Sequence, residues 1–150
     1  MGARDDIARL LKEAAGSMKN DVKGAVGKLE SAYALAVGTD VRDDIAAVAE
    51  ELARGWARRK SASRSLYYAS KAAKLAPDQK TSWTTLAKTC ELVASRIRDE
   101  KKQHRARALY KTAAAAFEKA ASMTKDLEDK RWLQELARDA KRQAKPPKEG

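Results

Sequence analysis

The sequence predicts an all-α protein, an array of closely packed helices rather than one large core. Three observations carry this. Apolar residues recur at helical spacing along almost the whole chain, and no stretch shows the period-two alternation a strand needs. The composition leans on strong helix formers, with some thirty alanines and only 5% aromatic residues, so helices can approach closely on small side chains. Prolines are confined to Pro77, Pro146 and Pro147. The expected architecture is about three antiparallel helix hairpins plus a C-terminal capping helix. A single helical domain is expected over 1–144 and a disordered basic tail over 145–150.

Ile7, Leu10, Leu11, Ala14, Ala15 and Met18 mark the apolar face of a first helix. Asn20 or Asp21 caps the second by accepting its free N–H groups. That helix carries Val22, Ala25, Val26, Leu29, Ala32, Tyr33 and Ala36, and Gly38 is expected to stop it in a left-handed conformation. Gly24 and Gly27 weaken the helix unless they serve close helix contact. Thr39 or Asp40 starts a third helix, whose first turn holds Asp43 and Asp44 at the positive end of the dipole. Its apolar face is Ile45, Val48, Ala49, Leu52, Ala53 and Trp56. Ser61-Ala62-Ser63 reads as a turn and cap before a fourth helix bearing Leu66, Tyr68, Ala69, Ala72 and Leu75, which Pro77 ends. The fifth helix is the most regular, with Trp83, Leu86, Ala87, Cys90, Val93, Ala94 and Ile97. A turn is expected near 99–104, because an unbroken helix would leave its apolar stripe exposed. Leu109, Ala113, Ala116, Phe117, Ala120 and Met123 then form a sixth helix, and Leu127, Trp132, Leu133, Leu136 and Ala140 a seventh.

The order Tyr67-Tyr68, Ala72, Leu75, Pro77, then Trp83, Leu86, Ala87 and Cys90 resembles the seam between two tetratricopeptide repeats (TPRs). Leu52, Ala53 and Trp56 occupy the Leu, Gly and Tyr places of a first repeat helix, and Ala113, Phe117 and Ala120 those of a later second helix. The resemblance implies a right-handed TPR-like solenoid, a degenerate array. Ala87 and Ala113 stand 26 positions apart, where the repeat expects about 12. The third hairpin is therefore expected to have helices about two turns longer than usual.

The net charge of +11 is unevenly spread: residues 1–53 carry −3 and residues 54–150 carry +14. Such a split points to an acidic partner, a nucleic acid or an anionic membrane surface. Cys90 is the only cysteine, which excludes an intramolecular disulfide and fits a cytoplasmic protein. No segment reads as a membrane span, so no membrane insertion is expected.

Catalytic constellations are missing. His104 is the only histidine and stands among cations, and Cys90 lies on an apolar face. No zinc-ligand spacing occurs. Gly24-Ala-Val-Gly27-Lys28 fails as a phosphate loop, with Val22 in place of the first glycine and Leu29 in place of Ser/Thr. No enzyme activity, metal or cofactor is expected.

Two binding signals remain. By repeat position the resemblance implies a concave peptide groove lined by Arg54, Arg58, Thr81, Thr84, Lys88 and Glu91, with the cations pairing with carboxylates. A basic patch comprises Arg96, Arg98, Lys101, Lys102, Arg105 and Arg107. The first reading is a protein-protein adaptor or scaffold that binds an acidic protein segment. The alternative is a nucleic-acid-associated protein that contacts phosphates. Self-association through an exposed terminal repeat face is a third possibility.

Overall fold

The computed structural model describes residues 2–147. Among them are seven α-helices: α1 (Ala3–Ser17), α2 (Val22–Thr39), α3 (Arg42–Arg58), α4 (Ala62–Leu75), α5 (Lys80–Ser95), α6 (Gln103–Ser122) and α7 (Leu127–Ala144). The chain divides into two compact units, one ending at Pro77 and the other starting at Asp78. Within each unit consecutive helices pack on one another: α1 on α2, α2 on α3 and α3 on α4 in the first, α5 on α6 and α6 on α7 in the second. Lys145, Pro146 and Pro147 follow α7 outside any helix, and the rest of the expected tail lies outside the described residues.

In the first unit the core runs through Ile7, Ala14, Ala25, Val26, Leu29, Val48, Leu52 and Trp56. Asp21 caps α2 by accepting the Gly24 N–H at 2.9 Å. A Cβ on residue 24 would stand 2.1 Å from the Asp21 carboxylate, so glycine there makes room for the cap and not for a neighbouring helix. Gly27 has open space around it. The close approach belongs to Gly55 of α3, where a Cβ would meet Val26 Cγ2 of α2 at 2.9 Å. Gly38 does not end α2 either. The helix runs on to Thr39, and the left-handed residue is Asp40 at φ 57°, whose N–H bonds to the Val37 carbonyl. Aspartate tolerates this region better than most side chains. The next helix then starts after Val41, two residues later than Thr39 and one later than Asp40.

The α3–α4 turn is closed by Lys60 at φ 61°, with the Lys60 N–H bonded to the Ala57 carbonyl and the Ser61 N–H to the Trp56 carbonyl. These are the paired bonds of a Schellman ending. Ser61 stands at the N-cap of α4 but makes no side-chain cap bond. From there α4 folds back along α3. Ser65 Oγ donates to the Ala53 carbonyl at 2.7 Å near the turn, and Ala72 and Ala76 pack on Ala49 and Ala46 at the far end.

In the second unit α6 packs on both neighbours. Its fully buried Phe117 lies on the same face as Ala113, Ala116 and Ala120. The connection 96–102 falls where the apolar pattern fades and ends in a 3-10 turn, Glu100–Lys102. The added length of this region is not spread over two long helices: α5 has 16 residues, fewer than α2 or α3, and the surplus sits in the connection and in the 20 residues of α6. Ile97 lies in that connection and not on α5. Asp126 caps α7 by accepting the Glu128 and Asp129 N–H groups. Leu133, Ala137 and Ala140 form its buried face, whereas Trp132 and Leu127 are each 61% exposed, contrary to the expected apolar face. The reason is angular: at about 100° per residue Trp132 lies a full step off the Leu133 stripe. Among the described residues no helix is long and apolar enough to cross a membrane.

Candidate functional site

In the first unit α1 and α3 lie side by side in the same direction. Arg4 near the start of α1 donates from Nε and Nη2 to Asp44 in the first turn of α3, at 3.0 and 3.2 Å. A recess of about 180 Å³ follows, lined by Ile7, Ala8, Leu11 and Ala47 with that ion pair. Further along the same two helices a second recess of about 210 Å³ opens. Its floor is Leu11, Ala14, Ala15, Met18 and Leu29 of α2, and its rim is Glu51, Arg54 and Arg58 of α3. Glu51, Arg54 and Arg58 share one face because they are three and four residues apart. Arg54 Nη1 donates to Glu51 Oε1 at 2.7 Å. Arg58, exposed in the last turn of α3, has no carboxylate partner among the described residues. The groove thus offers apolar contact beside an open bidentate donor.

The other groove candidates belong to the second unit. Lys88 and Glu91 line a broad recess of about 440 Å³ with Leu92 and Ser95 of α5, Tyr110 of α6, and Asp139 and Gln143 of α7. Burial, and then the Asp139 charge, push the Glu91 carboxyl above its ordinary pKa, with Lys88 partly opposing. Two mutually repelling carboxylates make this recess a poor receiver of an acidic segment. Thr81 and Thr84 line neither recess; the Thr84 hydroxyl donates back to the Thr81 carbonyl at 3.0 Å. Of the six groove candidates the structure brings together Arg54 with Arg58, and separately Lys88 with Glu91. Asp139 could not be read as their neighbour from spacing, because α7 reaches α5 only through the fold.

The basic candidates all fall on the 96–102 connection and the first turns of α6. Arg96, Arg98, Lys101, Lys102 and Arg105 are exposed and Arg107 is half-buried.

One polar node was not legible in the sequence. Glu30 of α2 accepts Trp56 Nε1–H of α3 at 3.0 Å and the Tyr68 hydroxyl of α4 at 3.0 Å. Burial, then the bond to Glu30, push the Tyr68 phenol well above its ordinary value. Tyr33 and Tyr67 each meet the Tyr68 ring edge-on, and Arg59 and Arg64 lie over the Trp56 ring at 5.1 and 4.4 Å. Tyr67 itself is 57% exposed and not on the core face its neighbour occupies.

Cys90 is buried, and burial, then the Glu91 charge, push its thiol up to about 11. His104 is exposed in the first turn of α6. Gly24 to Lys28 lie inside α2, so their N–H groups do not form a phosphate-cradling loop. Among the described residues no three His, Cys, Asp or Glu side chains gather as a metal site. No family model, curated protein or solved structure matches the chain.

Proposed function

We propose that this protein is a non-catalytic interaction module, an adaptor of TPR-like helix hairpins, and that the α1–α3 groove receives a short acidic protein segment carrying an apolar side chain. In this reading α1 with α2 and α3 with α4 are right-handed hairpin repeats of the first unit, and α7 caps the α5–α6 hairpin of the second. The observation that carries it is the pairing of an apolar floor (Leu11, Ala14, Met18, Leu29) with the unpaired Arg58 at its rim. A segment entering there can bury an aliphatic side chain and place a carboxylate in the guanidinium fork. The raised thiol of Cys90 and the isolated, solvated His104 support a binding rather than a catalytic role.

The test is fluorescence anisotropy with a labelled short peptide of glutamates around one leucine. Binding should weaken about tenfold or more on Arg58→Glu, the loss of one charge-assisted bond. Ala15→Trp, which fills the recess from an exposed floor position, should also weaken it. Lys88→Glu should not. No binding to the peptide, or equal losses with Arg58→Glu and Lys88→Glu, would refute the groove assignment.

A further inference from the structure

The geometry points to a second site, in the other unit: we propose that the α5–α6 connection with the first three turns of α6 binds the phosphate backbone of a nucleic acid. Arg96, Arg98, Lys101, Lys102, Arg105, Arg107 and Lys111 fall within this one stretch, against only Asp99 and Glu100. The two acids do little to neutralise them. Asp99 Oδ1 accepts the Lys101 N–H at 3.0 Å and so serves as the cap of the 3-10 turn. None of Arg98, Lys101, Lys102, Arg105, Arg107 or Lys111 joins an ion pair among the described residues. On α7 two cations are engaged, Arg142 with Asp139 and Lys141 with Glu118.

The connection is also braced. The Gln103 side-chain amide donates to the Ile97 carbonyl at 3.1 Å and to the Asp99 carbonyl at 3.2 Å, which ties the start of α6 across the segment that bears Arg98. The backbone that carries the cations is thus braced, and less of its ordering entropy is lost when a polyanion settles on it. Lys102 at the N-cap of α6 and Arg105 in its first turn also sit against the positive end of the helix dipole. A bound phosphate would relieve that repulsion.

The chemistry of the patch selects among polyanions. The exposed large apolar residues Val37, Val41, Tyr67, Leu92, Leu127 and Trp132 all lie outside 96–111. A membrane-surface site needs apolar groups to insert, and a protein interface needs an apolar or aromatic centre. A surface of cations alone fits the sequence-independent phosphate contacts of nucleic acid. With no exposed tryptophan, tyrosine or phenylalanine in the stretch to stack on bases, it fits a duplex better than a single strand.

The experiment titrates the full chain into labelled DNA and RNA duplexes of arbitrary sequence and follows anisotropy at two salt concentrations. With six phosphates engaged, affinity should fall about a thousandfold between roughly 50 and 200 mM salt. Replacing Arg98, Lys102 and Arg105 together by alanine should weaken binding at the lower salt and make the logarithmic salt slope shallower by about 3. Replacing the exposed Lys12, Lys19 and Lys23 of the first unit removes the same net charge and should leave the affinity nearly unchanged. Should the first triple variant lose helicity by circular dichroism, Lys102→Gln alone should still cut the slope by about 1. Failure to bind either duplex at the lower salt overturns the proposal. So do equal losses in the two triple variants, or binding only to phosphatidylserine vesicles or polyglutamate.

Discussion

Glu30 accepts hydrogen bonds from two other helices, and its removal should cost the first unit much of its stability. Glu30→Ala strips the partner from two donors on two other helices, Trp56 Nε1 of α3 and the Tyr68 hydroxyl of α4. Hydrogen bonds to a charged acceptor contribute about 1.5–3 kcal/mol each, and the half-buried carboxylate places both toward the lower end. Trp56 is only 8% exposed, so water does not readily replace the lost acceptor. The expected loss is about 3 kcal/mol, against about 1 kcal/mol for Glu30→Gln, which keeps one acceptor oxygen. The assay is urea unfolding followed by tryptophan fluorescence in a background with Trp83→Phe and Trp132→Phe, leaving Trp56 as the reporter. At a urea slope of about 1–1.5 kcal/mol per molar, the Glu30→Ala midpoint should fall by about 2–3 M. Tyr68→Phe should be strongly non-additive with it, since both remove the same bond. A fall of less than about 0.5 M, or full additivity, would refute the claim that this carboxylate ties the three helices together.

Three further outcomes are expected. Gly55→Ala should destabilise by about 1 kcal/mol, the overpacking against Val26 outweighing the gain in helix propensity, whereas Gly27→Ala should stabilise by about 0.5–1 kcal/mol; urea midpoints of the two variants should move in opposite directions. Cys90 should resist iodoacetamide at about pH 8, where only about one thiol in a thousand is ionised, and react rapidly once urea exposes it; fast native labelling would contradict its burial. Glu91 has a raised folded-state pKa, so its protonated form favours the folded state: that contribution is complete below the unfolded carboxyl pKa and is lost as pH rises through the folded one. Glu91→Gln should therefore unfold at higher urea than the parent near neutral pH, with the gap closing in acid below the unfolded value; an unchanged gap across pH would show that the charge is not the cause.

Helical class and most element positions were legible in the sequence because they are set within each segment. The spacing of Ile45, Val48, Leu52 and Trp56 puts them on one face whatever else the chain does. Asp21 and Pro77 end or begin helices by local chemistry. Other roles are set by a neighbour or an angle that residue type alone does not give. Gly24 and Gly27 weaken α2 unless they serve close helix contact, yet among the described glycines the one that meets another helix closely is Gly55, and that depends on where Val26 lies. Trp132 is expected on the apolar face of its helix, and its angular position turns it out.

The sequence alone determined that this protein is a set of amphipathic, alanine-faced helices with a basic run near residues 96–111. Periodicity, capping and charge are local properties, readable at a spacing of three or four residues. The tertiary structure decided which charges meet. It set Arg54 and Arg58 over the apolar floor supplied by α1 and α2, and Glu91 against Asp139 of α7. It joined Glu30 to Trp56 and Tyr68 across 26 and 38 residues of chain. The physical reason is that helix packing carries groups far apart in sequence to within a few ångströms of each other, where burial and Coulomb's law first act on them.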